Sequence, residues 1–213
     1  AEVEVVAAAA AKPKVKGAAA AAARTGPFFL FRGDIRMDSY VHSMGIRQEA
    51  YRFFGPGKAG SAAGDIVVDR SADTYRSELA SATFCGVFPG DGWSARFEDA
   101  VLNGCIPVVV QDDVHVAWEG YLDVEALSVR VRQSDMSHLV SALRAIPPQR
   151  VAALRAAGAA AWHRWAWLGY FTAERSRART GLTRLSEEDA ADLKALAAVQ
   201  GADALETLMT VLR

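Results

Sequence analysis

The sequence has no stretch of about 18 strongly apolar residues, the length that a membrane-spanning helix needs. Its alanine-rich runs at 7–11 and 18–23 are bounded by lysines and by Arg24, so we expect no membrane span within this chain. An excess of charge is also absent, because the formal net charge is −1 and the lysines and arginines are scattered. Such a chain has no general attraction to polyanions, which argues against nucleic acid as a partner.

Groups of metal-ligating residues are missing as well. The four histidines have no ligand-like spacing, and no cluster of His, Cys and carboxylates predicts a transition metal. Only His115 is expected in a loop that borders a cleft, where an ordinary exposed residue is the simpler interpretation. The two cysteines, Cys85 and Cys105, stand near the starts of strands that should be neighbours. A disulfide between them is one alternative. Buried free thiols are the more common fate of strand cysteines and are our expectation.

From residue 27 onward the sequence alternates apolar strand-like runs with helical patterns. This alternation favours βαβ units in an α/β, Rossmann-like domain with a mainly parallel sheet. Strands are predicted at 28–31, 66–68, 84–88, 105–110 and 127–131. Helices are predicted at 46–54, about 72–82, 94–103 and 134–146, and again after Ser186. No G-x-G-x-x-G follows the first strand, which argues against a dinucleotide-binding dehydrogenase.

The densest feature is the run Phe84–Asp113, FCGVFPGDGWSARFEDAVLNGCIPVVVQDD. A short apolar strand, a glycine-rich turn, a helix and a second strand follow one another directly. Ser94 is predicted to cap the helix, and Gly104 suits a left-handed helix end. The second strand is apolar throughout, as expected for a parallel sheet that is buried on both faces.

This run resembles the signature of the exostosin-type glycosyltransferases. Further matching residues are Tyr75, Leu79 and Ser81 before it and Asp112 or Asp113 at its end. Ala117–Trp118–Glu119 stands after it, where the family usually has a Pro-Phe-acid cluster. The resemblance covers about 28–165, and several uncommon elements occur in the family's order. It implies one Rossmann-like half of a GT-B fold, inversion at the sugar, a UDP-sugar donor and a glycan or polysaccharide acceptor. It also implies a location on the lumenal side of the Golgi membrane.

By this resemblance the chain supplies the donor-binding half, and an N-terminal Rossmann-like half that would complete the cleft is missing from it. We accordingly divide the sequence into three parts: an alanine-rich linker or disordered segment at 1–26, an exostosin-like nucleotide-sugar-binding domain at 27–172 and a helical extension at 173–213. The catalytic base would come from the other half, so we name none. No metal or other cofactor is expected, because arginines can neutralise the leaving diphosphate.

The predicted donor-binding residues are Arg32, Asp91, Gly92, Ser94, Arg96 and Glu98. Backbone N–H groups near Ser94, at a helix start behind flexible glycines, suit a diphosphate. Arg96 and Arg32 would add permanent charge, and Glu98 would accept hydrogen bonds from the ribose hydroxyls. Each has an ordinary alternative: first-turn placement for Glu98, a solvated ion pair for Arg96, and a surface position for Arg32.

The sequence thus predicts an inverting glycosyltransferase. The alternative is a catalytically incomplete module that binds nucleotide sugar or a partner chain without turnover.

Overall fold

The computed structural model describes residues 24–61, 63–167 and 203–212. The chain divides into two compact units, Ala1–Ala159 and Ala160–Arg213. The predicted linker lies outside the described residues except for its last three, and the helix predicted to start at Ser186 also lies outside them.

The first unit is built on a parallel sheet of five strands. The strands are β1 (Phe29–Arg32), β2 (Ile66–Asp69), β3 (Phe84–Val87), β4 (Ile106–Val109) and β5 (Val129–Arg130). Their order across the sheet is β2-β1-β3-β4-β5, and each neighbouring pair is parallel. The predicted α/β, Rossmann-like fold is confirmed.

Five helices follow the strands or continue from them. They are α1 (Ile46–Phe54), α2 (Tyr75–Ser81), α3 (Arg96–Leu102), α4 (Leu139–Arg144) and α5 (Pro148–Ala161). Short 3-10 turns lie at His42–Gly45, Ala59–Ser61, Val124–Ala126 and Gln133–His138.

The strands are apolar because both faces of the sheet are covered by helices. Successive strand residues point to opposite faces, so Phe29 and Phe31 join a cluster with residues of α1 and α4. Leu30 faces the other way, into a cluster that includes Leu79 of α2 and Ala100 of α3. Helices on both faces leave the carboxyl ends of the strands as the open edge where loops can build a site.

Several predicted helix boundaries differ from the observed ones. Ser94 does not cap α3, whose N-cap position is Ala95, although its hydroxyl accepts a 3.4 Å hydrogen bond from the Arg96 N–H. Ser134 does not begin a helix carrying Leu139, because a 3-10 turn covers that stretch and α4 starts only at Leu139. Gly104 has φ 66°, which agrees with the predicted left-handed end of α3.

Cys85 and Cys105 form a disulfide, with their Cα atoms 6.0 Å apart. The expectation of free thiols was therefore wrong. The bond joins β3 to the residue before β4, and it lies in the apolar cluster between the sheet and helices α2 and α3. It closes the segment that carries the glycine-rich loop and α3.

Residues 24–26, which end the predicted linker, are bonded to the folded unit. The Arg24 guanidinium donates to the carbonyls of Leu79, Ala80, Asn103 and Gly104. These carbonyls lie at the C-terminal ends of α2 and α3, where a cation is favourable. One side chain thus ties the ends of two neighbouring helices together.

In the second unit, the structure describes a 3-10 turn at Trp162–Trp165 and a helix, α6 (Ala204–Val211). The Ala204 N–H donates to the Ala166 carbonyl at 2.9 Å, which connects the two pieces. Among the residues described in either unit, no helix is long and apolar enough to cross a membrane.

Candidate functional site

The candidate site lies at the carboxyl ends of β1 and β3. The chain leaves β1 toward β2 on one side and returns to β3 on the other, and in open α/β sheets ligands bind at such a reversal of strand order. Two loops meet here, the one between β1 and α1 and the glycine-rich one between β3 and α3. The Ser43 N–H donates to the Gly90 carbonyl at 3.0 Å, which holds the loops together.

Arg96 reaches from the first turn of α3 to the end of β1. Its Nε donates to the Arg32 carbonyl at 2.8 Å, and its guanidinium carbon lies 5.2 Å from the centre of the Phe31 ring. A Cβ at Gly33 would come within 2.5 Å of Arg96 Nη2, so a side chain at this position would displace the guanidinium from its present place. No carboxylate among the described residues pairs with Arg96.

Arg47, in the first turn of α1, is the most deeply buried charge at this edge, with only 4% of its surface exposed. Its guanidinium donates to the carbonyls of Asp34 at 3.0 Å and Phe88 at 3.2 Å, while its Nε is buried without a partner. The guanidinium carbon lies 5.5 Å from the centre of the Phe31 ring that Arg96 also approaches. Burial, and next the nearby charge of Arg96, lowers the pKa of Arg47 to about 10.

Two like charges therefore approach one aromatic ring. Both are held by carbonyls and by attraction to the ring, and neither has a carboxylate partner in the described part of the chain. Packing two guanidinium groups together is costly, and the nearby charges of Asp34 and Asp91 act against the effect of burial on Arg47 without forming an ion pair with it. An anion bound at this edge would remove that cost.

His42 is buried and connects Arg47 to the glycine-rich loop. Its Nε2 lies 3.2 Å from Arg47 Nη1, and its Nδ1 lies 2.8 Å from Asp91 Oδ1. Because a guanidinium can only donate, Nε2 accepts from Arg47 and the ring proton sits on Nδ1, from which it is donated to Asp91. We assign the tautomer from this network.

Asp91 is the carboxylate that closes the cluster. Its other oxygen lies 3.5 Å from Arg36 Nη1. The hydrogen bond from His42 lowers the pKa of Asp91, and the charges of Arg36 and Arg47 act in the same direction. The side chain is nevertheless 67% exposed to solvent.

The loop between β1 and α1 has an unusual backbone that places these side chains. Ser43, Met44 and Gly45 have φ values of 61°, 52° and 78° in succession, and such left-handed residues are costly except for glycine. Gln48 supports the loop from α1, because its side-chain NH₂ donates to the carbonyls of Arg36, Ser39 and His42.

Glu98 lies on a different side of α3 from Arg96. Residues two positions apart in a helix are separated by about 200° around the helix axis. These two predicted site residues therefore do not share a face. Glu98 Oε2 is buried without a hydrogen-bond partner, and burial raises the pKa of its carboxyl. Asp99, three residues after Arg96, lies on the Arg96 side and accepts a 3.0 Å hydrogen bond from the Tyr75 hydroxyl.

Arg32 is paired within the protein. Its Nε and Nη2 donate to the two carboxylate oxygens of Glu78 at 2.8 and 2.7 Å, and its Nη1 lies 3.6 Å from Asp69. The hydrogen bond with Glu78 is the main cause that raises the pKa of Arg32. Its side chain thus forms ion pairs within the protein, whereas those of Arg47 and Arg96 form none with the described residues.

The remaining predicted residues form the glycine-rich loop itself. Gly92 has φ 130°, a conformation that favours glycine, and a Cβ there would meet no atom within 4 Å. Ser94 is buried at the start of α3. The site therefore brings together Asp91, Ser94 and Arg96 with two residues that the sequence did not single out, His42 and Arg47.

The one sequence signal for His42 and Arg47 was that polar residues stand near the start of α1, an otherwise amphipathic helix.

At the ends of β4 and β5 the charged residues are paired differently. Asp112 accepts from the Gln133 N–H at 3.2 Å, and the exposed His115 lies 3.4 Å from Glu119. Within 24–61, 63–167 and 203–212, no group of three or more His, Cys, Asp or Glu residues could hold a metal ion.

The exostosin GT47 domain family matches residues 18–146. A probable β-1,4-xylosyltransferase of Arabidopsis thaliana is 35% identical over 80 residues, which cover 36% of this chain and 19% of that protein. Exostosin-2 of Homo sapiens is 34% identical over 102 residues, which cover 46% of this chain and 13% of that protein.

A probable glucuronosyltransferase of Oryza sativa subsp. japonica is 34% identical over 89 residues, covering 40% of this chain and 20% of that protein. The chain thus spans a fifth or less of the length of these relatives. The family match includes all five strands and the loops of the candidate site. Because it covers more than half of the sequence, the chain belongs to the exostosin family of glycosyltransferases, through its GT47 domain.

Proposed function

We propose that this chain is the donor-binding half of an inverting glycosyltransferase that transfers a sugar from a UDP-sugar to a glycan or polysaccharide. The observation that carries the proposal is the pair of guanidinium groups, on Arg47 and Arg96, that meet at Phe31 without a carboxylate partner. They lie at the reversal of strand order, where a diphosphate would find both charge and backbone N–H groups.

Departing UDP gains negative charge on its diphosphate as the bond to the sugar breaks. Preorganised donors aimed at that charge stabilise the transition state more than the ground state. Arginines in a fixed position provide such donors without a metal ion. The reaction is accordingly proposed to need no metal.

Glu98 is proposed to bind the ribose of UDP. Its Oε2 is buried and has no partner, and an unsatisfied buried carboxylate is costly unless a ligand supplies hydrogen-bond donors. Two vicinal ribose hydroxyls would supply them. Asp99 offers the matched comparison, because it is the neighbouring carboxylate on α3 but already accepts a hydrogen bond from Tyr75.

The acceptor sugar and the catalytic base are proposed to be held by a second Rossmann-like half. The disulfide between Cys85 and Cys105 supports a lumenal location, since disulfides persist in oxidising compartments. The Golgi lumen fits this requirement.

UDP binding tests the donor-site proposal. Calorimetry with the purified chain is expected to detect UDP binding that is tighter than the binding of inorganic pyrophosphate and unchanged by EDTA. Glu98→Ala should weaken UDP about 10- to 100-fold, the worth of hydrogen bonds to a charged group, and leave pyrophosphate affinity nearly unchanged. Asp99→Ala is the control.

Three outcomes contradict the proposal in different places. A folded chain that does not bind millimolar UDP removes the donor site. If Glu98→Ala loses equal affinity for UDP and for pyrophosphate, or if Asp99→Ala loses more affinity for UDP alone, Glu98 does not bind the ribose. If binding strictly requires a divalent metal, the proposal that arginines neutralise the diphosphate without a metal is wrong.

A further inference from the structure

The cluster at the end of β3 already contains one bound anion, and it belongs to the protein. The Asp91 carboxylate receives a 2.8 Å hydrogen bond from His42 and lies 3.5 Å from Arg36. Phosphate oxygens seek the same kinds of donor. The donors that hold Asp91 are therefore of the kind that a phosphate of the donor would use.

We propose that Asp91 is an internal, displaceable anion: its carboxylate occupies a phosphate subsite in the empty site, and a diphosphate displaces it from His42 and Arg36 and binds beside Arg47. The inference rests on the proposed donor site and adds a competing group to it. It also changes the role of Asp91 from a ligand contact to a residue that weakens anion binding.

The loop is built so that Asp91 can leave at small cost. Its side chain is 67% exposed, so little packing is lost when it turns outward. Gly90 precedes it and Gly92 follows it, and no atom lies within 4 Å of a Cβ placed at Gly92. Glycines give this short segment backbone freedom on both sides of the aspartate.

The donors that would remain are suited to a phosphate. Arg47 lies beneath Gly90, where a Cβ would be 3.5 Å from Arg47 Nη2, so the loop places no side chain over the guanidinium at this position. Its buried Nε has no partner. Movement of the loop that carries Asp91 would expose Arg47 and His42 together.

Asp34 provides a matched comparison for Asp91. Both are exposed carboxylates that pair with Arg36, Asp34 through Arg36 Nε at 2.7 Å. Only Asp91 touches His42. Removing either charge changes the net charge of the region equally. A difference in pyrophosphate affinity between the two variants therefore measures the contact of Asp91 with His42 and not the overall charge of the region.

The experiment measures pyrophosphate binding by calorimetry in the wild type, Asp91→Asn and Asp34→Asn at the same salt concentration. Asparagine keeps an oxygen that can accept from His42, so the histidine stays in place while the competing charge is removed. Asp91→Asn should bind pyrophosphate about tenfold more tightly than the wild type, the effect of removing one charge a few ångströms from a phosphate. Asp34→Asn should gain less than threefold.

The opposite result, weaker binding in Asp91→Asn, would make Asp91 a positioning residue for His42 and overturn the proposal. Equal gains in both variants, or no pyrophosphate binding in any of them, would also overturn it. Asp91→Ser, which removes the charge with a smaller side chain, replaces Asp91→Asn if the latter does not fold. If UDP binds no more tightly than pyrophosphate while Asp91→Asn still gains affinity, the donor proposal fails and the displaceable anion stands.

Discussion

Three arginines near the end of β1 differ in their electrical surroundings. Arg32 forms ion pairs with two carboxylates, whereas Arg47 and Arg96 form none with the described residues. A charge that is already neutralised stabilises the fold and offers little to a ligand. An unpaired charge does the reverse, and for this reason we assign the diphosphate to Arg47 and Arg96 before Arg32.

The pairing of Arg32 predicts a pH-dependent contribution to stability. The hydrogen bond from Arg32 lowers the pKa of Glu78. A carboxyl with a lowered folded-state pKa contributes stability that is fully present above its unfolded pKa and is lost as the pH falls through the folded value. Glu78→Gln should therefore lower the free energy of unfolding by about 1–3 kcal/mol at pH 7, with the difference from the wild type vanishing in acid.

Urea unfolding of both proteins from pH 7 to pH 3 measures this contribution. Glu125→Gln is the control, because Glu125 is exposed and its side chain makes no ion pair in the described part of the chain. A constant difference between wild type and Glu78→Gln at all pH values would assign the loss to packing instead of charge.

At the scale of elements, the disulfide holds β3 and the start of β4 at the ends of a segment that contains the whole glycine-rich loop and α3. The two cysteines are 20 residues apart in sequence. Closing a loop of this length restricts the unfolded chain and is worth about 3 kcal/mol in the loop-entropy model. It also limits how far α3, with Arg96, can separate from β3.

The element-scale prediction is that reduction of this bond lowers stability but leaves the sheet formed. Cys85→Ala/Cys105→Ala should unfold at lower urea concentration, with a loss of about 3 kcal/mol. The fully reduced wild type should lose a similar amount, and its far-UV circular dichroism should stay close to that of the oxidised protein. Coincident unfolding curves for the oxidised and reduced proteins would mean that the bond adds no stability.

At the scale of the molecule, large apolar side chains are exposed on the same edge as the candidate site. Val41 is 91% exposed and Trp93 is 59% exposed, and the remainder of this edge patch consists of Met37, Tyr40 and Met44. Exposed apolar patches mark surfaces that another domain or ligand covers. We expect the proposed second Rossmann-like half to face this edge.

The corresponding prediction concerns activity. Transfer requires an acceptor hydroxyl in line with the anomeric carbon and a base within hydrogen-bond reach, and in a GT-B enzyme the two halves build this geometry together. The 213-residue chain by itself should bind UDP and transfer no sugar to added oligosaccharides. Mass spectrometry of the acceptors after incubation with UDP-sugars measures this, and transfer that Glu98→Ala abolishes would contradict it.

The sequence by itself determined the order of the elements and predicted where the candidate site lies. Alternating apolar runs and helical patterns are local properties, and they predicted the parallel sheet, the glycine-rich loop and α3 with boundaries that differ by a few residues at most. Boundaries failed where a 3-10 turn replaced a helix, as at Ser134, since that choice depends on packing.

Only the tertiary structure decided which charges are paired. Arg32 meets Glu78 across 46 residues of sequence, and His42 meets Asp91 across 49. The bond between Cys85 and Cys105 likewise depends on the positions of two neighbouring strands. Such contacts join residues that have no local pattern in common. The sequence therefore does not distinguish an arginine that is paired within the protein from one that is not.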